Sequence, residues 1–400
     1  MKILYVSGHP HLRTDAPSGY ATHMRETMRA LRCRGVEVVP WIVGDQRATP
    51  AEGSREAKPG GSRGVLRRVV PGALWQGMRD ASLMRHDRAA EAPLVEAIER
   101  ERPDVVYERA SYLFSAGVRA AHRTGVPLVV EINAPYVEER TALHGRGMLD
   151  GYGDRWERTV LQGAALVVTV STVLGSYLRE RGGLDASSVR VLPNAVDPEL
   201  FHPGVPTCRP ELGIADDAFV IGYVGSFIAW HRLDVLVRAT ALLRRAGVPA
   251  VALLVGDGPT RAELLELAAD LGVGDHVVAP GAVPFERVPG HVQSADVCAI
   301  PDHAWYCSPI KLFEYGGLRK AVVAKESAPI LEVVEDGRDC LLFPGSPEGL
   351  AAALRALHDD PRRRAALADS LHARVCEQHT WSASARRLVD WLSDLRGRGA

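Results

Sequence analysis

One window places a cation and a carboxylate where they could do chemistry: Ser308-Pro309-Ile310-Lys311-Leu312-Phe313-Glu314. Ser308 suits an N-cap and Pro309 a first helical position, so a helix is expected to begin here. The free N–H groups and positive dipole end of such a helix favour an anion, typically phosphate. Lys311 and Glu314 stand at i and i+3, which puts both on one helical face. An ammonium beside a phosphate, with a carboxylate one turn deeper to accept two ribose hydroxyls, would hold a nucleotide diphosphate. The same spacing also describes an ordinary capped helix with an i, i+3 ion pair, and spacing alone does not choose between the two.

Other chemistries find less support. No pair of carboxylates stands out as the acid and nucleophile of a hydrolase, and no Asp-x-Asp stands in a metal-binding context. The six cysteines (Cys33, Cys208, Cys298, Cys307, Cys340, Cys376) are scattered, without a Cys-x-x-Cys pair, so free thiols are expected rather than disulfides or a zinc site. The 400 residues carry 48 basic and 49 acidic side chains, a formal charge of −1, which removes the electrostatic case for a nucleic-acid binder. Only five of the basic residues are lysine (Lys2, Lys58, Lys311, Lys320, Lys325) and 43 are arginine, a skew expected of a GC-rich genome. The N-terminal apolar run Ile3–Val6 is too short for a signal peptide, and no run reaches the roughly 18 apolar residues of a membrane span. A cytoplasmic protein is expected.

The elements that must position the window come from an end-to-end alternation of short apolar runs with amphipathic stretches, the pattern of an α/β protein with parallel sheets. Strands are expected at Ile3–Ser7, Val36–Val43, Val105–Tyr107, Leu128–Ile132, Leu166–Val170 and Val189–Leu192. Helices are expected at Tyr20–Arg34, Ala89–Arg102, Tyr112–Arg123 and Thr172–Arg181. Pro193, Pro198, Pro203, Pro206 and Pro210 then mark a linker. Beyond it, strands read at Phe219–Gly225, Val251–Val255, His276–Val278, Val297–Pro301, Ala321–Ala324 and Cys340–Leu342, with helices near Leu233–Arg245, Thr260–Leu271, Pro309–Tyr315 and Gly349–His358. Two α/β domains, 1–200 and 201–380, with a C-terminal helix over 381–400 packing back on the first, would face a ligand across a cleft. Gln46–Gly64 reads as a mobile loop. Val65–Arg88, basic and amphipathic, reads either as a helix capping the first domain or as a weak contact with an anionic membrane surface.

Across nearly its whole length the sequence resembles the retaining, GT-B-type glycosyltransferases of family 4. Val168-Thr169-Val170-Ser171, Leu192-Pro193-Asn194-Ala195-Val196-Asp197 and Phe201-His202-Pro203 are similar to the family's strand-Ser element and its Pro-Asn-Gly-Val-Asp linker, with Ala195 in place of the glycine. Tyr223-Val224-Gly225-Ser226-Phe227, Leu254-Val255-Gly256-Asp257-Gly258-Pro259, Pro280-Gly281-Ala282-Val283, Asp336-Gly337-Arg338-Asp339-Cys340-Leu341-Leu342-Phe343 and Thr380-Trp381 follow in the family's order. Each is weak alone; the ordered set is specific. Ser18-Gly19-Tyr20 resembles the family's glycine-rich loop, and the absence of Gly-x-Gly-x-x-Gly argues against a dinucleotide site.

The resemblance implies two Rossmann-like domains, a nucleotide-diphosphate-sugar donor held mainly by the second and an acceptor, hydroxyl- or thiol-bearing, held mainly by the first. It implies donor contacts at Gly19, Gly225, Ser226, Gly256, Gly258, Ser308, Pro309, Ile310 and Glu314, with Glu314 as the ribose-binding second glutamate of the family's Glu-x7-Glu motif. Tyr306 stands where the first glutamate would be, and Asp302, His303 or the backbone of Cys307–Pro309 would substitute for it. Ser226 and His231 replace the family's Arg and Lys, so Arg232, His231 and Lys311 are expected to supply the positive field, as in members with a Trp-His pair like Trp230-His231. Asn133 falls where many members carry a histidine near the donor sugar, and it is grouped with His231, Arg232 and Lys311 as catalytic. His9, His11, Glu108 and Glu131 are the expected acceptor contacts; Tyr107-Glu108-Arg109 and Glu138-Glu139 sit at strand ends or just beyond, where solvated surface charge is the competing reading. Catalysis would need no metal or other cofactor, resting on positioning and on stabilisation of the departing diphosphate. Two rivals stand beside a transferase for a small-molecule or glycan acceptor: a nucleotide-sugar epimerase or hydrolase of the same fold, and a catalytically silent partner protein.

Overall fold

The computed structural model describes residues 1–16, 18–46, 72–147 and 149–398. The chain divides into two compact units, Met1–Leu192 with Ala385–Ala400, and Pro193–Ser384. In the first, β1 (Lys2–Ser7), β2 (Glu37–Ile42), β3 (Val105–Arg109), β4 (Leu128–Ile132), β5 (Leu166–Thr169) and β6 (Val189–Val191) form a parallel sheet ordered β2-β1-β3-β4-β5-β6. In the second, β7 (Phe219–Val224), β8 (Ala250–Val255), β9 (Val277–Gly281), β10 (Val297–Ile300), β11 (Ala321–Lys325) and β12 (Leu341–Phe343) form a parallel sheet ordered β12-β11-β10-β7-β8-β9.

The strands are apolar on both faces because each sheet is covered on both sides. Along β7, Phe219, Ile221 and Tyr223 enter one core with Leu236 and Leu254, while Val220 enters the other with Val255, Leu312 and Phe313. Each sheet order reverses direction once: between β1 and β3 in the first unit, and between β7 and β10 in the second. There the crossovers diverge to opposite faces and leave a crevice at the carboxyl ends of the strands, where open α/β sheets take their ligands.

All twelve expected strands are present, and the departures lie in the helices. The helix expected at Ala89–Arg102 is much longer, Gly72–Glu101, and contains Pro93. Gly72–Arg88 therefore belongs to a helix tied to the first unit: Asp80 accepts from Arg140 at 2.6 Å, and His86 Nε2 donates to the Gly8 carbonyl at 2.8 Å. Val65–Pro71, like Gln46–Gly64 beyond its first residue, lies outside the described residues. The helix expected from Tyr112 starts instead at Ala116, because Asp87 accepts from the backbone N–H groups of Ser115 (2.6 Å) and Ala116 (2.7 Å) and so caps it from another helix. Helices Tyr136–His144, Asp150–Gly163, Val288–Gln293 and Pro361–Gln378 had no counterpart among the expectations. In the proline-rich stretch the sole described helix is the single turn Arg209–Leu212, with Pro210 in its first turn.

Candidate functional site

In the second unit the crevice is built from backbone that glycine lets through. Just past β7, Gly225 has φ +146°, and a Cβ there would lie 3.0 Å from the Tyr223 hydroxyl and 3.3 Å from Lys311 Nζ. Just past β8, a Cβ on Gly256 (φ +138°) would lie 2.0 Å from the Gly225 carbonyl oxygen. No other residue fits there without moving main chain. Gly258 follows, its N–H donating to Asp257 Oδ1 at 2.7 Å.

The helix after β10 is Ile310–Gly317, and its N-cap is Pro309, with φ −73° and ψ 115° and no side-chain cap. This corrects the expectation of a Ser308 cap and Pro309 inside the helix. Ser308 is used otherwise: its Oγ accepts from the Asn194 N–H at 3.2 Å, and its carbonyl accepts from the Asn194 side-chain amide. Asn194, in the linker motif, thus braces the loop that leads into the helix. Its amide holds the loop carbonyl just before the helix, whose first residues Ile310 and Lys311 present the N–H groups that no earlier turn can accept.

Lys311 donates to the Tyr223 hydroxyl at 3.0 Å and lies 4.4 Å above the centre of that ring. Burial pushes its ammonium down to about 8, against the opposing pull of Cys307 and Glu314. Glu314 is 9% exposed and, among the described residues, has no hydrogen-bond or ion-pair partner. The i, i+3 ion pair of the competing reading is not made; Lys311 bonds Tyr223 instead. Burial lifts the Glu314 carboxyl to about 7, with Lys311 pulling the other way. An acceptor left unpaired at low exposure costs free energy, roughly 1–3 kcal/mol, that a ligand donor can recover.

Two side chains expected to supply positive charge are engaged with neighbours in this structure. Arg232 is exposed and doubly bonded to Asp234, at 2.9 and 3.0 Å, so its charge is already matched. His231 Nδ1 lies 2.7 Å from the Tyr223 hydroxyl and 2.7 Å from the carbonyl of exposed Ser226. Burial, then the Lys311 cation, push its imidazole down to about 3, so it is neutral at pH 7. The side chains expected to replace the missing glutamate are also engaged: Asp302 accepts from Lys325 at 2.7 Å, and His303 bonds the Ala304 carbonyl and Ser327 Oγ at 2.9 and 2.8 Å. Of the backbone named for that role, the Cys307 N–H donates to the Ala304 carbonyl at 2.9 Å and Pro309 has none, which leaves the Ser308 N–H as the donor.

In the first unit the strand registers set Ser7, Arg109 and Glu131 side by side. Arg109 donates to Glu131 Oε1 at 2.6 Å, Tyr107 donates to Oε2 at 2.7 Å, and the Asn133 amide donates to Oε1 at 2.5 Å. His23 Nδ1 lies 3.4 Å from the same oxygen. Burial alone would raise the Glu131 carboxyl; the facing cation and these hydrogen bonds reverse that and hold it below its ordinary value. Since burial keeps His23 neutral, with its ring pushed down to about 4, Arg109 is the cation that does so. Glu131 is 2% exposed with its oxygens occupied, so it braces Asn133 rather than meeting an acceptor.

Glu108, one residue before Arg109, points to the opposite face, where a Cβ on Gly117 would lie 1.7 Å from its Oε2. It is fully buried with neither oxygen bonded among the described residues, and burial, then the Asp87 charge, raise it to about 8, so it carries its proton at pH 7. It cannot touch an acceptor. His9 and His11 do stand at the open end of β1, with the His11 N–H donating to His9 Nδ1 at 3.2 Å. Gly19 begins the helix Gly19–Cys33. The residues given no role beforehand, Tyr223, Asn194, His23 and Lys325, act through partners far away in sequence; Asn194 and Tyr223 carried a signal, their places in the linker motif and in the motif after the linker, and the other two carried none.

Residues 17–200 match the family described as Glycosyltransferase Family 4, and residues 218–360 match Glycosyl transferases group 1, together more than four fifths of the chain. The chain is a family 4 glycosyltransferase. This glycosyltransferase is 29% identical over 407 residues to the D-inositol 3-phosphate glycosyltransferase of Stackebrandtia nassauensis, across 97% of this chain and 89% of that one. It is 30% identical over 254 residues to the GDP-mannose-dependent alpha-(1-6)-phosphatidylinositol monomannoside mannosyltransferase of Mycolicibacterium smegmatis, across 60% of this chain and 66% of that one. Its fold is GT-B, and the crystal structure of Anabaena Alr3699/HepE in complex with UDP-glucose superposes with a TM-score of 0.72 at 20% identity, covering 98% of this chain and all of that one. Among the glycosyltransferase's described residues, no helix is long and apolar enough to cross a membrane, and no three His, Cys, Asp or Glu side chains gather as a metal site would need.

Proposed function

We propose that this enzyme transfers a hexosyl group, with retention of anomeric configuration, from a nucleoside-diphosphate sugar to a hydroxyl of a small polyol or glycan acceptor. The unit Pro193–Ser384 would hold the donor and the unit Met1–Leu192 the acceptor. The observation that carries this reading is Glu314, a nearly buried carboxylate without a partner, one turn beneath Lys311 and the unpaired N–H groups of Ile310 and Lys311. An anion at the helix start and a vicinal diol one turn deeper satisfy both sets of groups at once. The relatives' names, an inositol phosphate glycosyltransferase and a phosphatidylinositol mannoside mannosyltransferase, support a polyol acceptor.

In the transfer, the bond from the anomeric carbon to the diphosphate oxygen breaks and the acceptor oxygen forms its bond on the same face. The acceptor's hydroxyl proton passes to the leaving diphosphate oxygen. Lys311 and the helix N–H groups stabilise the negative charge that develops there. Asn133 is fixed through Nδ2 by Glu131, and its carbonyl oxygen is buried without a bond among the described residues, so a hydroxyl would reach it only after a local shift of the side chains around it.

Calorimetric titration with a panel of UDP- and GDP-sugars tests the donor site. Glu314→Ala should weaken binding of the preferred donor about 10- to 100-fold, the worth of hydrogen bonds to a charged group. An unchanged dissociation constant would remove Glu314 from the site. The pH dependence follows from the two groups on this helix. Glu314 accepts ribose hydroxyls as a carboxylate, so affinity is lost as pH falls through about 7. Lys311 meets diphosphate as an ammonium, so affinity is lost as pH rises through about 8. Donor affinity should therefore peak between those values, and a flat profile from about pH 6 to about pH 9 would contradict it.

A further inference from the structure

Four distances fix the protons around His231. Its Nδ1 lies 2.7 Å from the Ser226 carbonyl oxygen and 2.7 Å from the Tyr223 hydroxyl. That hydroxyl lies 3.0 Å from Lys311 Nζ and 3.3 Å from the Ser226 carbonyl. A carbonyl oxygen only accepts, so Nδ1 must carry hydrogen. An ammonium only donates, so the phenol oxygen accepts from Lys311 and turns its own proton to Ser226. A bare Nδ1 would instead set its lone pair against the carbonyl's. A second ring proton would place a charged imidazolium against the Lys311–Tyr223 pair. Nε2 therefore presents a lone pair, it is bonded to none of the described residues, and the half-buried ring stands against Tyr223 and Ser226, at and just past the carboxyl end of β7.

We propose that His231 meets the donor as a neutral hydrogen-bond acceptor, taking a hydroxyl of the transferred sugar on Nε2, and that Tyr223 is the positioning residue that fixes this tautomer. The proposal rests on the donor reading above. The choice between sugar and phosphate follows from donor and acceptor chemistry. Ionised phosphoryl oxygens only accept, and a lone pair facing them is repelled, whereas a hydroxyl donates. The site then divides its work: Lys311 and the helix N–H groups serve the diphosphate, and His231 reads the sugar. This inverts the positive charge that the resemblance led us to expect at this position.

The test compares two probes by calorimetry, UDP-glucose against UDP, with GDP-mannose against GDP as the second pair. His231→Ala should weaken binding of the preferred nucleotide sugar about 10-fold, roughly the worth of one hydrogen bond, while changing affinity for the bare diphosphate less than about twofold. His231→Gln, whose amide oxygen can accept at the same reach, should restore most of the loss, and His231→Lys should not. Tyr223→Phe keeps the ring under Lys311; it should cost sugar-dependent affinity and move the imidazole 15N resonances of His231 away from a single Nδ1–H tautomer.

Equal losses for sugar nucleotide and bare diphosphate in His231→Ala would overturn the proposal, as would a His231→Lys enzyme that binds diphosphate more tightly and keeps its rate. So would a 15N spectrum of the wild-type protein with hydrogen on Nε2. If the wild type binds neither these pairs nor any other member of the UDP- and GDP-sugar panel, the donor reading itself fails, and that result needs no variant to be seen. Thermal unfolding separates these outcomes from misfolding: the His231 variants, at a partly exposed ring, are expected within a few degrees of wild type, while Tyr223→Phe, at a fully buried ring, is read only if it keeps a cooperative transition.

Discussion

Replacing Lys311 by Met is expected to lower the turnover number about 10²- to 10³-fold, the typical loss when one preorganised donor to a developing charge is removed. The expected size comes from how the other charges nearby are spent. Arg232 is bonded to Asp234 and Lys325 to Asp302, while Lys311 is bonded, among the described residues, only to a neutral phenol. Lys311 thus keeps its full charge for the leaving group, and burial raises the worth of that charge. Initial rates with a saturating donor check this. The loss should fall mainly on kcat, with the donor KM rising less, because the charge on the diphosphate grows in the transition state. The alkaline limb of donor binding near pH 8 should also vanish, since the group that titrates there is gone. Rates within about twofold of wild type would mean that the helix N–H groups alone carry the diphosphate.

Glu131→Ala should be the most destabilising of the single changes considered, by about 3–5 kcal/mol, because it leaves the Arg109 guanidinium buried without a counter-charge. Arg109 is 8% exposed and Glu131 2%, so water cannot take over for the missing carboxylate. Tyr107, His23 and Asn133 lose their shared partner in the same step. Urea unfolding followed in the first unit checks the magnitude. The double change Arg109→Met with Glu131→Leu should recover much of the loss, since an apolar pair of similar volume avoids the desolvation of both charges. A single Glu131→Ala change costing less than about 0.5 kcal/mol would mean that Arg109 finds another partner.

The strands were legible because two-sided burial writes itself as uninterrupted apolar runs, Ile3–Val6 or Val220–Val224, whose ends need no partner to be seen. Helix starts were less legible. Ala116 opens a helix because Asp87, 29 positions earlier, caps it, and local sequence carries no trace of that. At the site, the residue types in Lys311–Glu314 suggested their chemistry, and the glycines marked where backbone comes close. What the sequence hid was which charges were already satisfied. Arg232 looked available until Asp234 was seen to hold it. Glu108 and Arg109 are consecutive charged residues at a strand end, a pattern that ordinarily reads as surface. Strand alternation sends them to opposite faces, and each is buried there. Tyr223 was quoted within a motif, yet its hydroxyl reaches Lys311 88 positions away, and no spacing rule connects them.

The division of the chain has a consequence for how the enzyme is made. The first unit stops at Leu192 and resumes at Ala385, with the whole second unit between. Its last piece includes Ala385, Leu388 and Leu392, all fully or nearly buried, and Arg396, which pairs with Asp104 at 3.5 Å. At about 5–20 residues per second, a ribosome needs about 10–40 s to travel from one piece to the other. For that interval the nascent first unit has its sheet complete and its terminal helix missing, with the apolar surface that helix covers open to solvent. The second unit, contiguous in sequence, can finish first, so the order of synthesis and the order of completion are opposite.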